Sequence, residues 1–226
     1  MTATEASKRV GLSVASARRC LMTLCDAGYM ETDGKRFWLT HGVLRLAYAY
    51  SASTRLPRLV QPILDALSER GGDSASLIVL FDDAAVIAAR STARRTLRVG
   101  LVVGSRLPIY CSAAGRVLLA VLPAERASDI LRLAVRAQLT PNPVTEMSKL
   151  KLLLEQCRHN GYAICDEEIE LGVRSIAIPV FNAEGAPIAA ISMSTRADRM
   201  TISEMVEKYL PTLRNHQTWV QRRLTA

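Results

Sequence analysis

Apolar positions recur along this chain with two periods, and the change from one to the other marks out its elements. A capping box, Thr2 through Glu5, opens a short helix running to about Val10. Gly11-Leu12 then breaks it, and Ser13 N-caps a second helix whose apolar positions Ala17, Cys20, Leu21 and Leu24 share one face. Tyr29–Thr32 and Lys35–Leu39 read as strands joined by Asp33-Gly34, a two-residue hairpin signal. His41–Ser53 returns to helical spacing, and Ser51–Leu56 is small and polar enough to be a linker. The next helix, with Pro57 near its start, carries Leu59, Val60, Ile63, Leu64 and Leu67 on one stripe and stops at Gly71-Gly72. Ala75–Phe81, Ala85–Arg90 and Arg98–Val103 read as strands, and Gly104–Pro108 as a loop. Helices follow over Ser112–Leu122, Ala124–Ala134 and Glu146–Asn160, with Gly161 capping the last. Ala163–Cys165, Arg174–Phe181 and Pro187–Thr195 are strands, Asp166–Glu170 is an acidic loop read as solvated, and Thr201 caps a final helix reaching about Leu224. Strands at both ends of a helical block predict an α+β domain with one antiparallel sheet flanked by helices. The predicted division is a small domain over 1–40, a linker helix and linker over 41–56, and a larger domain over 57–226.

The second helix is the informative one. Its outer face carries Ala15, Arg19, Met22 and Thr23, with Ser16 and Arg18 at the edges. Short residues allow close approach to a duplex, and arginines can pair with guanine edges or phosphates. An amphipathic surface helix can look the same, so the flanks decide. Helix, Gly-containing turn, helix, then a basic hairpin is the order of a winged helix-turn-helix. It predicts that Ser13, Ala15, Ser16, Arg18, Arg19 and Thr23 face DNA, with Lys35 and Arg36 on the wing.

Charge supports this. The chain of 226 residues has a net charge of +8. Residues 1–60 hold nine Lys/Arg against four Asp/Glu, whereas the rest hold twenty against seventeen. The excess sits where a nucleic-acid footprint would need it. There is no apolar run of 18 residues or more, which argues against a transmembrane span, and no signal-peptide core. The five cysteines (Cys20, Cys25, Cys111, Cys157 and Cys165) are scattered. They point to a reducing cytoplasm, with neither a disulfide framework nor a metal site. The three histidines (His41, His159 and His216) show no metal spacing, and no cofactor is expected. The only nucleophile and base that can be paired, Cys111 and a distant His159, make a poor case for an enzyme.

Two further stretches carry chemistry. Ser112-Ala-Ala-Gly115 opens a helix with small residues, a natural anion site. Ser192 and Ser194 alternate by two and so share a strand face. As single residues, such serines are equally well read as satisfied core hydroxyls.

Gly104–Ala120 (GSRLPIYCSAAGRVLLA) and Gly161–Ser194 (GYAICDEEIELGVRSIAIPVFNAEGAPIAAISMS) closely resemble the effector domain of IclR-type bacterial transcription regulators. The segment before them is similar to that family's winged helix-turn-helix. GSRLP followed by YCSAAGRVLLA is most like the branch governing aromatic-acid catabolism (protocatechuate, 4-hydroxybenzoate, β-ketoadipate). The resemblance implies a GAF-like domain holding a small carboxylate, operator DNA as partner, and homodimers or homotetramers. By motif position it implies effector contacts at Leu107, Ala113, Ala114, Cys165, Ser175, Ser192 and Ser194. Cys165 stands where the family often has Asp. A winged helix-turn-helix of this type has three helices before its wing, and only two are found between Met1 and Tyr29. The first helix is therefore expected to be missing, through a start site set too far downstream. Ala17, Leu21, Leu24, Phe37 and Leu39 would then lack a third wall. The alternative is a ligand-binding or dimerisation protein with impaired DNA binding.

Overall fold

The structure is a computed structural model that describes residues 1–92, 100–134 and 136–224. It divides into two compact units, Met1–Arg55 and Leu56–Ala226.

The first unit contains helices α1 (Ala3–Val10) and α2 (Val14–Asp26), strands β1 (Met30–Thr32) and β2 (Phe37–Leu39), and helix α3 (Val43–Ser53). The Thr2–Glu5 capping box forms in both directions, and Gly11 closes α1 in the left-handed region at φ 69°. Ser13 caps α2 by accepting the Ser16 N–H. Strands β1 and β2 pair antiparallel, Met30 opposite Leu39. Met1 and Thr2 extend this ribbon: Met1 N donates to the Phe37 carbonyl, Phe37 N donates back to Met1, and Thr2 bridges Arg36. Ala6, Ala17, Leu21, Met30 and Phe37 form the core.

The expected need for a third wall is thus met in part from within. Ala17, Leu21 and Phe37 are buried against α1 and the Met1 edge, whereas Leu24 and Leu39 remain exposed. Ser51–Ser53, read as linker, are helical; only Thr54 separates α3 from the next helix. Helix propensity in this Ala-rich stretch outweighs its two serines.

The second unit takes in helix α4 (Arg55–Gly71) from Leu56 on. It continues with β3 (Ser74–Phe81), β4 (Ala84–Ser91), β5 (Arg106–Leu107), α5 (Ala113–Ala120), α6 (Ala124–Leu133), α7 (Met147–Asn160), β6 (Ala163–Asp166), β7 (Val173–Phe181), β8 (Pro187–Arg196) and α8 (Ile202–Leu224). The six strands form one sheet in the order β5-β4-β3-β8-β7-β6, all neighbours antiparallel. Alternate residues face opposite sides. Ile78, Ala177 and Ala190 pack in one cluster with α5 and residues of α6 and α7; Leu77, Ile178, Ile191 and Met193 pack with α4 and α8. Two expectations change here. Gly104–Pro108 is not all loop, because Arg106 and Leu107 pair with Val86 and Ala85. Of the predicted strand Arg98–Val103, Arg98 and Val99 lie outside the described residues, and Gly100–Val103 form none.

Candidate functional site

On the α5 side, the register sets side chains in a row across four strands. Ser74 of β3 is paired with Ser194 of β8, Ser194 with Ser175 of β7, and Ser175 with Cys165 of β6. Two residues along, Ser76 is paired with Ser192, and Ser192 with Ala177. Paired positions point to the same face, so these hydroxyls lie together under the start of α5. There Ser112 caps the helix by accepting the Gly115 N–H at 3.0 Å. Ala113 and Ala114 occupy the first two helical positions, whose N–H groups have no carbonyl a turn earlier to bond. A side chain on Gly115 would put its Cβ 2.3 Å from the Ile109 carbonyl oxygen, so glycine is required for this close approach.

The result is a cavity between helix start and sheet. All seven residues named from sequence line it: Leu107, Ala113, Ala114, Cys165, Ser175, Ser192 and Ser194. Sequence reasoning missed Leu101, Ile169, Glu170 and Val173 in the wall. About 50 Å³ is open, room for about three to five waters. That is about a third of the ~150 Å³ that holds a benzene ring, so a ring-sized ligand requires the walls to move apart. The Ser74 hydroxyl, next in the row after Ser194, is buried with no hydrogen-bond partner among the described residues. Burial raises the Cys165 thiol above its ordinary range, so it is neutral and acts as a small wall residue. Burial likewise pushes Cys111 up to about 12, the opposite of what a nucleophile needs.

The acidic run Asp166–Glu170 is not the solvated loop expected. Glu168 is buried and accepts a two-pronged bond from Arg116, with Nη1 and Nη2 each 2.6 Å from a carboxylate oxygen. Arg116 also donates from Nε to the Tyr110 carbonyl and from Nη1 to the Ile164 carbonyl. The Thr140 hydroxyl donates to the Glu167 carbonyl at 2.8 Å. Asp166 is paired with Arg174, and a Glu167 oxygen accepts the Gly172 N–H. Only Glu170 remains exposed. The signal was in the sequence: an arginine inside AAGRVLLA, a segment otherwise small and apolar, must find an acid when its helix is buried.

In the first unit, Ser13, Ala15, Arg18, Arg19 and Thr23 of α2 and its cap are exposed, Ser16 is half-buried, and Lys35 and Arg36 are exposed on the β1–β2 turn. Several of these are partly engaged. Arg18 donates to the Gly34 carbonyl at 3.2 Å, tying α2 to the turn. The Ser13 hydroxyl donates to that of Ser16, and Thr23 donates to the Arg19 carbonyl.

Residues 48–221 match the family described as bacterial transcriptional regulator IclR, C-terminal. The chain is 37% identical over 214 residues to the Pca regulon regulatory protein of Pseudomonas putida, covering 94% of this chain and 74% of that protein. It is 36% identical over 220 residues to the p-hydroxybenzoate hydroxylase transcriptional activator of Acinetobacter baylyi, covering 95% of this chain and 81% of the relative. Among solved structures, the inducer-binding domain of the PobR transcription factor from Acinetobacter, a double mutant in complex with 3-hydroxybenzoic acid, superposes with a TM-score of 0.70 at 31% identity. It covers 74% of this chain and 98% of that one. These matches run through both stretches that shape the cavity, and the chain belongs to the IclR family of bacterial transcriptional regulators, which are not enzymes.

Proposed function

We propose that this regulator controls an aromatic-acid catabolic operon and that a small aromatic carboxylate, of the hydroxybenzoate class, is its effector. The observation that carries this reading is the cavity itself, with free helix-start amides at Ala113 and Ala114 on one side and Ser175, Ser192 and Ser194 on the other. The amides and the positive end of α5 favour a carboxylate. Ring hydroxyls find partners among the serines, and Leu101, Leu107, Ile169 and Val173 supply apolar contact. The names of the two relatives and the ligand of the solved inducer-binding domain agree with this class.

We further propose that residues 1–40 act as a winged helix-turn-helix, with α2 in the major groove and Lys35 and Arg36 at phosphates, and that 57–226 is a GAF-like effector domain. Two copies would pair through the first unit, where α3 exposes Leu44, Leu46 and Tyr48.

Calorimetry with 4-hydroxybenzoate tests the effector site. Binding is expected in the wild type, and loss is expected in Ala113→Phe and in Ser192→Ala/Ser194→Ala. Unchanged binding in both variants refutes the site. A gel shift over a salt series tests the DNA interface. Replacing Arg19, Lys35 and Arg36 by alanine should flatten the log–log salt slope by about 0.9 for each phosphate no longer neutralised. An unchanged slope refutes the winged interface.

A further inference from the structure

At the far end of α5 from the effector cavity lies a second, larger cavity of about 170 Å³, between α5, α7, β7 and α8. Val117, Val121, Pro179 and Phe181 give it an apolar wall, and Gln217, whose Nε2 donates to the Pro179 carbonyl at 2.7 Å, adds an amide. Two guanidiniums, Arg158 and Arg214, border it. Arg158 Nε donates to the Ala120 carbonyl at 2.8 Å, and Arg214 Nη2 to the Asn160 carbonyl at 3.0 Å. Those carbonyls belong to the last turns of α5 and α7, so each arginine caps a helix end with one N–H. A guanidinium has five. Neither arginine forms an ion pair among the described residues, and no carboxylate is among the described residues lining the cavity. The one other ionisable group among the described wall residues, Cys157, is pushed up to about 12 by burial and stays a neutral thiol. Two anchored positive charges thus face a partly apolar recess with no internal counter-charge.

We propose that this recess is a second ligand site, taking a small organic carboxylate with an apolar body. The carboxylate would meet the free N–H groups of Arg158 and Arg214 in charge-assisted hydrogen bonds. The apolar body would lie against Val117, Pro179 and Phe181. Helix α5 lines both cavities, with Ala113 and Ala114 at one end and Val117 and Ala120 at the other. The inference does not depend on the effector reading of the first cavity.

The test uses the full chain with sodium benzoate as probe, and sodium phosphate in a parallel arm. Calorimetry gives affinity, and methyl NMR of Val117 and Val121 reports the site. Benzoate is expected to shift both valines. Arg158→Gln/Arg214→Gln should weaken that response at least tenfold while its glutamines can still donate to the two helix ends. Gln217→Glu, which sets a carboxylate among the guanidiniums, should do the same without removing either arginine. Ala113→Phe should leave the valine response intact, and loss of only the other binding component there belongs to the first cavity. Raised salt should weaken binding, since both arginines are exposed to solvent. No shift at Val117 and Val121, or equal shifts in wild type and both charge variants, overturns the proposal. Phosphate binding as tightly as benzoate overturns the assignment of an apolar-bodied ligand.

Discussion

Glu168→Gln should cost this protein a large share of its stability. Arg116 and Glu168 meet through two bonds of 2.6 Å, and their side chains are only 5% and 10% exposed. Removing one partner of a buried ion pair leaves the other charge uncompensated and costs about 3–5 kcal/mol. The glutamine keeps one acceptor oxygen but turns an amide donor toward a guanidinium that can only donate. It also weakens the acceptor for the Val144 N–H, 3.4 Å from the same carboxylate. For a domain of about 150–250 residues each kcal/mol moves Tm by about 2–4 °C, so the second unit should melt about 6–20 °C lower. Thermal denaturation followed by circular dichroism reads this directly. The companion variant Arg116→Met/Glu168→Met removes both charges and their desolvation cost, but it also takes the partners from the Tyr110 and Ile164 carbonyls and the Val144 N–H, so it should recover only part of the loss. The coupling energy of the pair follows from the complete cycle, the double variant set against both Arg116→Met and Glu168→Met singly. Glu168→Gln melting within about 2 °C of wild type would refute the argument.

Gly115→Ala should destabilise the second unit by about 1–3 kcal/mol, since the new Cβ meets the Ile109 carbonyl at 2.3 Å and the capping Ser112 hydroxyl at 2.5 Å; denaturant melts check it. His216 lies below the usual histidine range because of burial and, secondarily, the nearby Arg70 charge. The unfolded chain therefore takes up this proton first, so the stability His216 contributes is full above the ordinary value of about 6.5 and is lost as pH falls toward its lower native value. In His216→Gln that part of the pH–stability curve should be flatter. Burial raises the thiols of Cys111, Cys157 and Cys165, while Cys20 is exposed. At pH 8 a thiol reagent should modify Cys20 at once and the three buried cysteines only on unfolding; fast labelling of any of the three would contradict their burial.

Most of the fold and the sheet side of the site were legible in the sequence because both rest on short-range signals. Caps at Thr2, Ser13 and Ser112 and the left-handed Gly161 each fix a local backbone geometry that the residue type announces. The two-residue Asp33-Gly34 hairpin is corrected to a longer turn, since Thr32 pairs with Phe37 and Asp33–Arg36 lie between the strands. The spacing of Ser192 and Ser194 gives their common face without any knowledge of the neighbouring strands. What could not be read is what depends on register and on pairings far apart in sequence. Ser74 joins the serine row only because β3 lies beside β8, a pairing across 120 residues. The acidic loop looked solvated because a run of carboxylates normally is; here Arg116, fifty-two residues earlier, reaches Glu168, and Arg174 takes Asp166. The ribbon edge at Met1 has no local signature for the same reason, since it exists only through Phe37 and Arg36.

These long-range pairings determine how the site is held. The residues that line the cavity come from the segment before β5, from β5, α5 and its cap, β6, β7, β8 and the loop after β6, and no single element carries more than a few of them. The Arg116–Glu168 pair joins two of those pieces directly, since Arg116 follows Ala113 and Ala114 on α5 and Glu168 precedes Ile169 and Glu170 in the loop. A buried charge tolerates displacement from its partner poorly, so the pair fixes the loop wall against the helix start. The serine floor, by contrast, is fixed by the backbone ladder and needs no such clasp. It follows that Glu168→Gln should loosen ligand binding from the loop side even in molecules that remain folded. Effector affinity measured well below the variant's Tm should therefore fall, while the register of Ser175 and Ser194, read by amide exchange in β7 and β8, stays as in the wild type.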